Sequence, residues 1–217
     1  RHTMIIRDVM TKSPVTVTED TTVTDAKALM TKNNFSKLPV LDKSQRLVGI
    51  ITKNDIQKAS PSDATTLDMF ELGYVLSKLT VGKFMTKKVL TVQETEVVEE
   101  AARIMVDNNI GCIPVMDDDV LVGIVTENDL FRLFTEIFGA RHSGVRAVIS
   151  LPDKPGQLSK ITNQIAELKG NLVSVVTREL KDASFRRSTI KVTGITKEQM
   201  ENILQNAEAE IIDLRII

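Results

Sequence analysis

The 217-residue chain is 42% hydrophobic and 26% charged, which excludes intrinsic disorder and suits a soluble globular protein of one or two domains. Twenty-eight Lys and Arg residues face 29 Asp and Glu residues, without a long basic run to neutralise a phosphate backbone, so nucleic acid is excluded as a main partner. The single Cys112 excludes an intrachain disulfide or a cysteine-rich metal site, and no apolar run approaches the roughly eighteen residues that cross a bilayer.

No secretory signal opens the sequence, so the cytoplasm is the expected location and no membrane partner is expected. Arg1, His2 and Thr3, ahead of Met4, read as an expression remnant outside the fold.

In chain order, V-M-T-K-S-P-V-T-V leads into a short extended segment at residues 15–17 and an acidic turn. Val23, Ala26, Leu29 and Met30 then recur at helical steps, and Asn33-Asn34 is a plausible stop because Asn tolerates left-handed backbone. Strands are predicted over residues 37–41 and 47–52, joined by a turn at 42–46, and Asn54-Asp55 opens another helix. Residues 59–66 read as a loop rich in helix caps. The helix near 67–79 that follows carries Leu72, Val75, Leu76 and Leu79 on one stripe, as in a connector that docks.

The pattern then returns. F-M-T-K-K-V-L-T-V (84–92), N-N-I-G-C-I-P-V-M-D (108–117) and L-V-G-I-V-T-E-N-D-L (121–130) repeat the first copy's motifs in the same order. The expected elements are an extended segment at 90–92, a helix through Val98, Ala101, Ile104 and Met105, and strands at 112–116 and 121–126. A module of about fifty residues buries little surface alone, so two copies should share a core and leave related clefts between them.

From Val145 the pattern changes to strand (146–151), turn (152–158), a helix with Leu158, Ile161, Ile165 and Leu168 on one face, and a stop at Gly170-Asn171. A hairpin follows, with strands at 172–180 and 185–192. The last helix turns Met200, Ile203 and Leu204 inward, and the final strand alternates Ile212, Leu214 and Ile216 with Asp213 and Arg215. The fold class is therefore α/β of the α+β kind: tandem β-α-β-β-α repeats followed by a ferredoxin-like βαββαβ domain.

T-x-x-D occurs at both strand-to-helix junctions, Thr52/Asp55 and Thr126/Asp129. A helix start offers free N–H groups to a phosphate, a threonine hydroxyl adds a donor, and an aspartate accepts from two vicinal hydroxyls, as on ribose. The same spacing is also a capping-box pattern that satisfies the helix's own N–H groups, and the residues alone leave both readings open.

On N-N-x-x-x-[LI]-P-V and L-V-G-I-[IV]-T-x-N-D, present twice in register, residues 7–135 resemble a tandem pair of cystathionine-beta-synthase-type (CBS) domains. V-x-x-x-D-K-P-G-Q-L makes residues 145–217 similar to an ACT domain, and the whole order resembles the bacterial acetoin-utilisation regulatory proteins. The expected limits are 4–57 and 81–138 for the CBS domains, 58–80 for the helical connector and 145–217 for the ACT-like domain.

The resemblance implies that Thr52 and Thr126 lie at phosphate and Asp55 and Asp129 at ribose, with Asn54 and Asn128 also in the nucleotide site. It puts the base between Leu38-Pro39 or Ile113-Pro114 and the backbone of Val15-Thr16 or Leu90-Thr91. The regulatory ligand is then an adenine nucleotide (AMP, ADP or ATP), with magnesium as its companion ion and no covalent cofactor.

The copies differ where phosphate is expected. Ser36 and Lys37 correspond to Gly111 and Cys112, and Lys53 to Glu127, so the two clefts should differ in affinity, the one lined by Lys37 taking the more phosphorylated ligand. Around Asp153, Pro155, Gly156, Gln157 and Leu158, the ACT resemblance implies an amino acid or other small metabolite; the residues alone equally describe a turn without a ligand.

Catalysis is not expected. His142 is the one histidine outside the remnant, and no G-x-S-x-G, Walker A or zinc-ligand spacing occurs. The reading is a non-catalytic homodimeric sensor acting on an unknown regulated protein. The alternatives are a structural dimerisation module, or a CBS pair holding NAD or S-adenosylmethionine.

Overall fold

Each repeat begins with a single helical turn too short to show a period: α1 (Ile6–Val9) in the first copy and α4 (Val81–Phe84) in the second. The computed structural model describes residues 4–59, 73–74, 77–181 and 184–217. Of the predicted connector loop, Ala59 is instead the buried last residue of the preceding helix, while 60–66, Leu72, Val75 and Leu76 lie outside the described residues, as does the hairpin tip at 182–183. The described chain divides into two compact units, one ending at Leu130 and the other Phe131–Ile217.

In the first repeat β2 (Val17–Thr18) pairs in parallel with β3 (Lys37–Leu41), which pairs antiparallel with β4 (Leu47–Thr52). The second repeats this with β5 (Val92–Gln93), β6 (Cys112–Asp117) and β7 (Val120–Thr126). The short strands begin at Val17 and Val92, at the far end of the predicted segments. Helices α2 (Val23–Asn33) and α5 (Val98–Asn108) end on Asn34 (φ 54°) and Asn109 (φ 52°), left-handed as the Asn pairs predicted. Helices α3 (Lys53–Ala59) and α6 (Glu127–Ile137) follow the second strands.

The leading turns are exchanged. Ile6 and Met10 pack in the second repeat's core with Met105, Ile113 and Val125. Val81 and Met85 pack in the first repeat's core with Met30, Leu38 and Ile51. Strand β1 (Thr11–Lys12) accordingly joins the second repeat's sheet beside β7, and Arg7 bonds Glu94, holding that carboxyl below the usual range.

The glycine of each L-V-G-I motif makes room for this exchange. A Cβ on Gly49 would stand 2.4 Å from Met85 Sδ, and one on Gly123 2.3 Å from Met10 Sδ. Neither repeat therefore has a complete core of its own. Burying Ile6, fully inaccessible, contributes about 1.5–3 kcal/mol to the other copy.

The second unit carries β8 (Val145–Pro152), α7 (Gln157–Glu167), β9 (Asn171–Glu179), β10 (Phe185–Thr193), α8 (Lys197–Asn206) and β11 (Glu210–Ile216). The antiparallel sheet has the order β11-β8-β10-β9. Its core joins Ala147, Ile149 and Ile190 to Ile161, Ile165, Met200 and Leu204. Thr196 and Gln199 close a capping box at the start of α8.

Three local expectations change. Leu168 is 43% exposed, because α7 ends before completing its apolar face. The left-handed residue after α7 is Lys169; Gly170 is required by space, since its Cβ would meet Ile165 and Ile195 side chains within 2.9 Å. A bulge between Ile211 and Asp213 breaks the final alternation, so Ile211 and Leu214 pack on the core while Ile212 is 43% exposed.

Candidate functional site

Both T-x-x-D motifs take the same form at the strand-to-helix junction. The Thr52 N–H and hydroxyl donate to Asp55 Oδ2 (2.9 and 2.7 Å), and the Asp55 N–H donates to Thr52 Oγ1 at 3.2 Å. In the second copy the corresponding distances are 2.9, 2.8 and 3.4 Å. The capping-box reading is thus realised in both repeats. Asp129 is only 4% exposed, whereas Asp55 is half-buried. The two bonds to Oδ2 fix the Asp55 carboxylate against its own helix start, so its orientation is set by the fold.

Leu38 and Ile113 are 1% and 0% exposed and belong to the two hydrophobic cores. Their side chains form no open slot; what these positions can offer a ligand is backbone, with the buried Pro39 and Pro114 beside them. Val15 and Thr16 are half-buried, while Leu90 and Thr91 are exposed, as are Asn54 and Asn128. A groove of about 360 Å³ runs along Thr16, Thr18, Asp25, Leu29, Leu41 and Gln45. Neither Thr52 nor Asp55 lines it.

The repeats meet at an asymmetric polar seam. A Cβ on Gly111 would lie 2.8 Å from Lys37 Nζ and 2.9 Å from Glu127 Oε2, so the lysine of the first copy and the acid of the second stand together over this glycine. Beneath them Cys112 packs with Ile50 and Ile124. Burial pushes its thiol up to about 11, Lys37 opposing and Glu127 adding to the shift. Sequence reading picked out each residue but missed their meeting.

The chain matches the family described as CBS domain over residues 6–62 and 81–136, just over half its length. It belongs to the CBS-domain family. Residues 143–215 match the TTHA0829-like ACT domain, so a tandem CBS pair is followed by an ACT domain.

The CBS domain pair of protein MJ0100, solved with 5′-methylthioadenosine and S-adenosyl-L-methionine, is 34% identical, covering 64% of this chain and 98% of that one with a TM-score of 0.51. An acetoin-utilisation protein (AcuB) from Vibrio cholerae is 28% identical over 63% of this chain and 94% of that one, with a TM-score of 0.53. CBSX2, solved with AMP, is 29% identical over 61% and 97%, with a TM-score of 0.52. Among curated relatives, L-aspartate semialdehyde sulfurtransferase of Methanocaldococcus jannaschii is 35% identical over 131 residues, 60% of this chain but 23% of that protein.

In the CBS pair, among the described residues, no group of three or more His, Cys, Asp or Glu side chains is placed to hold a metal ion, and no helix is long and apolar enough to cross a membrane. In the ACT domain the predicted turn forms, with Gly156 at φ +84° as N-cap of α7. A Cβ there would meet only Ser159 Oγ, at 3.8 Å, so its left-handed backbone is what favours glycine. Asp153 Oδ1 accepts from Arg186 Nε at 2.8 Å, and the Asp153 N–H donates to the Ser184 carbonyl. Pro155 is exposed, with Gln157 and Leu158 half-buried. These bonds tie the turn to its own hairpin.

Proposed function

We propose that the chain is a non-catalytic regulatory protein whose CBS pair binds an adenosine-containing ligand, an adenine nucleotide first among them, in clefts built around Thr52/Asp55 and Thr126/Asp129. The observation that carries this is the twin T-x-x-D geometry. Two carboxylates are held rigid at helix starts, where an anion and a diol can be received together. Relatives with the same pair hold AMP, or methylthioadenosine and S-adenosylmethionine. Base contacts come from backbone at 15–16, 38–39, 90–91 and 113–114, and phosphate is received at the Asn54 or Asn128 turn once the Thr52 or Thr126 hydroxyl turns from its aspartate to the anion.

Lys37, standing over Gly111, can answer a longer phosphate chain, with magnesium as the companion of a polyphosphate. Glu127 beside it opposes that attraction. The nucleotide shifts a conformational equilibrium only as far as it binds one state better. The link through residues 135–144, which Lys191 fastens to the ACT sheet by donating to the Gly139 carbonyl at 2.7 Å, carries the change to the ACT domain. That domain pairs two copies or senses a small metabolite. The AcuB neighbour favours a place in acetoin utilisation.

A thermal-shift panel of AMP, ADP, ATP, NAD and S-adenosylmethionine tests this. A ligand at 100 times its Kd stabilises by about 2.7 kcal/mol per site. The expected result is a saturable rise with at least one adenosine compound; a flat response to all of them leaves the structural-module reading standing.

A further inference from the structure

On β8 of the ACT sheet, Ala147, Ile149 and Leu151 face α7 and α8, so Arg146, Val148 and Ser150 point to the opposite side, whose Ser174–Lys191 end is covered by Phe138 and Gly139. Cross-strand register places Arg187 beside Ser150 and directly opposite Arg178 on that same side. The row across the sheet reads Glu210, Ser150, Arg187, Arg178. Like charges directly opposite on adjacent strands repel. Neither arginine has an ion-pair partner among the described residues, and Arg187 Nε is buried without a hydrogen-bond acceptor.

The acids of this face do not answer them. Asp213 is taken by Arg146 at 3.2 Å and Arg215 at 2.6 Å, and Glu210 stands at the far end of the row, beyond the buried Ser150.

We propose that this face binds a small oxyanion, a carboxylate or phosphate group, between Arg178 and Arg187. Two guanidinium groups on directly opposite residues of adjacent strands offer planar forks that match a carboxylate or phosphate bidentately. An anion there relieves the cross-strand repulsion and gives the buried Nε–H its acceptor. The site is distinct from the Asp153–Gly156 turn, since Arg186, which holds Asp153, points to the opposite face of the same strand.

The test uses the 217-residue protein labelled with ¹⁵N, following the Arg187 Nε–H resonance during titration with inorganic phosphate, with succinate, and with sodium chloride at matched ionic strength. The expected result is a saturable shift with phosphate or succinate and none with chloride; whichever anion binds more tightly names the source. Arg187→Gln and Arg178→Gln should each weaken binding about tenfold or more, and Arg187→Lys, which keeps the charge but loses the fork, by a similar factor. AMP affinity should stay unchanged in all three. No saturable shift with either anion, or variants that bind as well as wild type, overturns the proposal. So does an Arg187→Lys protein that loses self-association in sedimentation velocity while anion affinity stays intact, because the face then belongs to a second copy of the chain.

Discussion

The two CBS repeats share a backbone plan but not a charge plan. Both have the exchanged leading turn, the Asn at φ near 50° after the first helix, and the reciprocal Thr–Asp cap. Where each copy meets the other, the first presents Lys37 and the second Gly111, Cys112 and Glu127; the matching positions Ser36 and Lys53 differ likewise from Gly111 and Glu127. The first repeat caps α2 with Thr22, whose hydroxyl accepts from the Asp25 N–H, whereas Val97 at the same place caps nothing. Duplication has kept what closes the joint core and let the polar seam diverge, as expected if the seam sets ligand preference and the core sets the fold.

Breaking the shared part should have the largest effect. Ile6→Ala removes a fully buried side chain and should cost about 2–5 kcal/mol in denaturant unfolding. Because Ile6 lies in the other copy's core, native-state hydrogen exchange should show first loss of protection in residues 112–126. Loss confined to the first repeat would contradict the exchange. The caps come next. Asp129→Ala should destabilise by about 1–3 kcal/mol, as expected for a buried hydrogen-bonded group, and Asp55→Ala by about 0.5–2 kcal/mol. Equal losses in chemical denaturation would show that the difference in burial does not matter.

Smaller effects sharpen the contrast. Val97→Thr, copying Thr22, should raise stability by about 0.5–1 kcal/mol, read as a higher denaturation midpoint. The Cys112 thiol, held up to about 11, should alkylate slowly at pH 8. Glu127→Gln removes a charge that raises that value and should speed the reaction, and Lys37→Ala removes one that lowers it and should slow it. Unchanged rates in both variants would place these charges away from the thiol.

Local chemistry made much of the fold legible. Strands Lys37–Leu41 and Leu47–Thr52 have the limits that their apolar runs predicted, and Asn34 and Asn109 are left-handed where an Asn pair ends a helix. What lay beyond reading is non-local. The turns at Ile6 and Val81 span four residues, too few for a period, and Met10 filling the space over Gly123 is a contact no window contains. Of the candidate site, the Thr–Asp pairs were legible as motifs. The meeting of Lys37 with Glu127, and the withdrawal of Leu38 and Ile113 into cores, required the packing of one copy on the other.

The central claim is that Asp55 and Asp129 receive a ligand's sugar as well as capping their helices. Isothermal titration of AMP into wild type and into Asp55→Asn, Asp129→Asn and the double variant tests it most directly, because Asn preserves a side-chain cap while losing the carboxylate that accepts from two hydroxyls. The account predicts saturable binding in wild type, weakened about tenfold or more at the altered site and abolished in the double variant, with unfolding midpoints nearly unchanged. AMP binding of equal strength in all four proteins would contradict it.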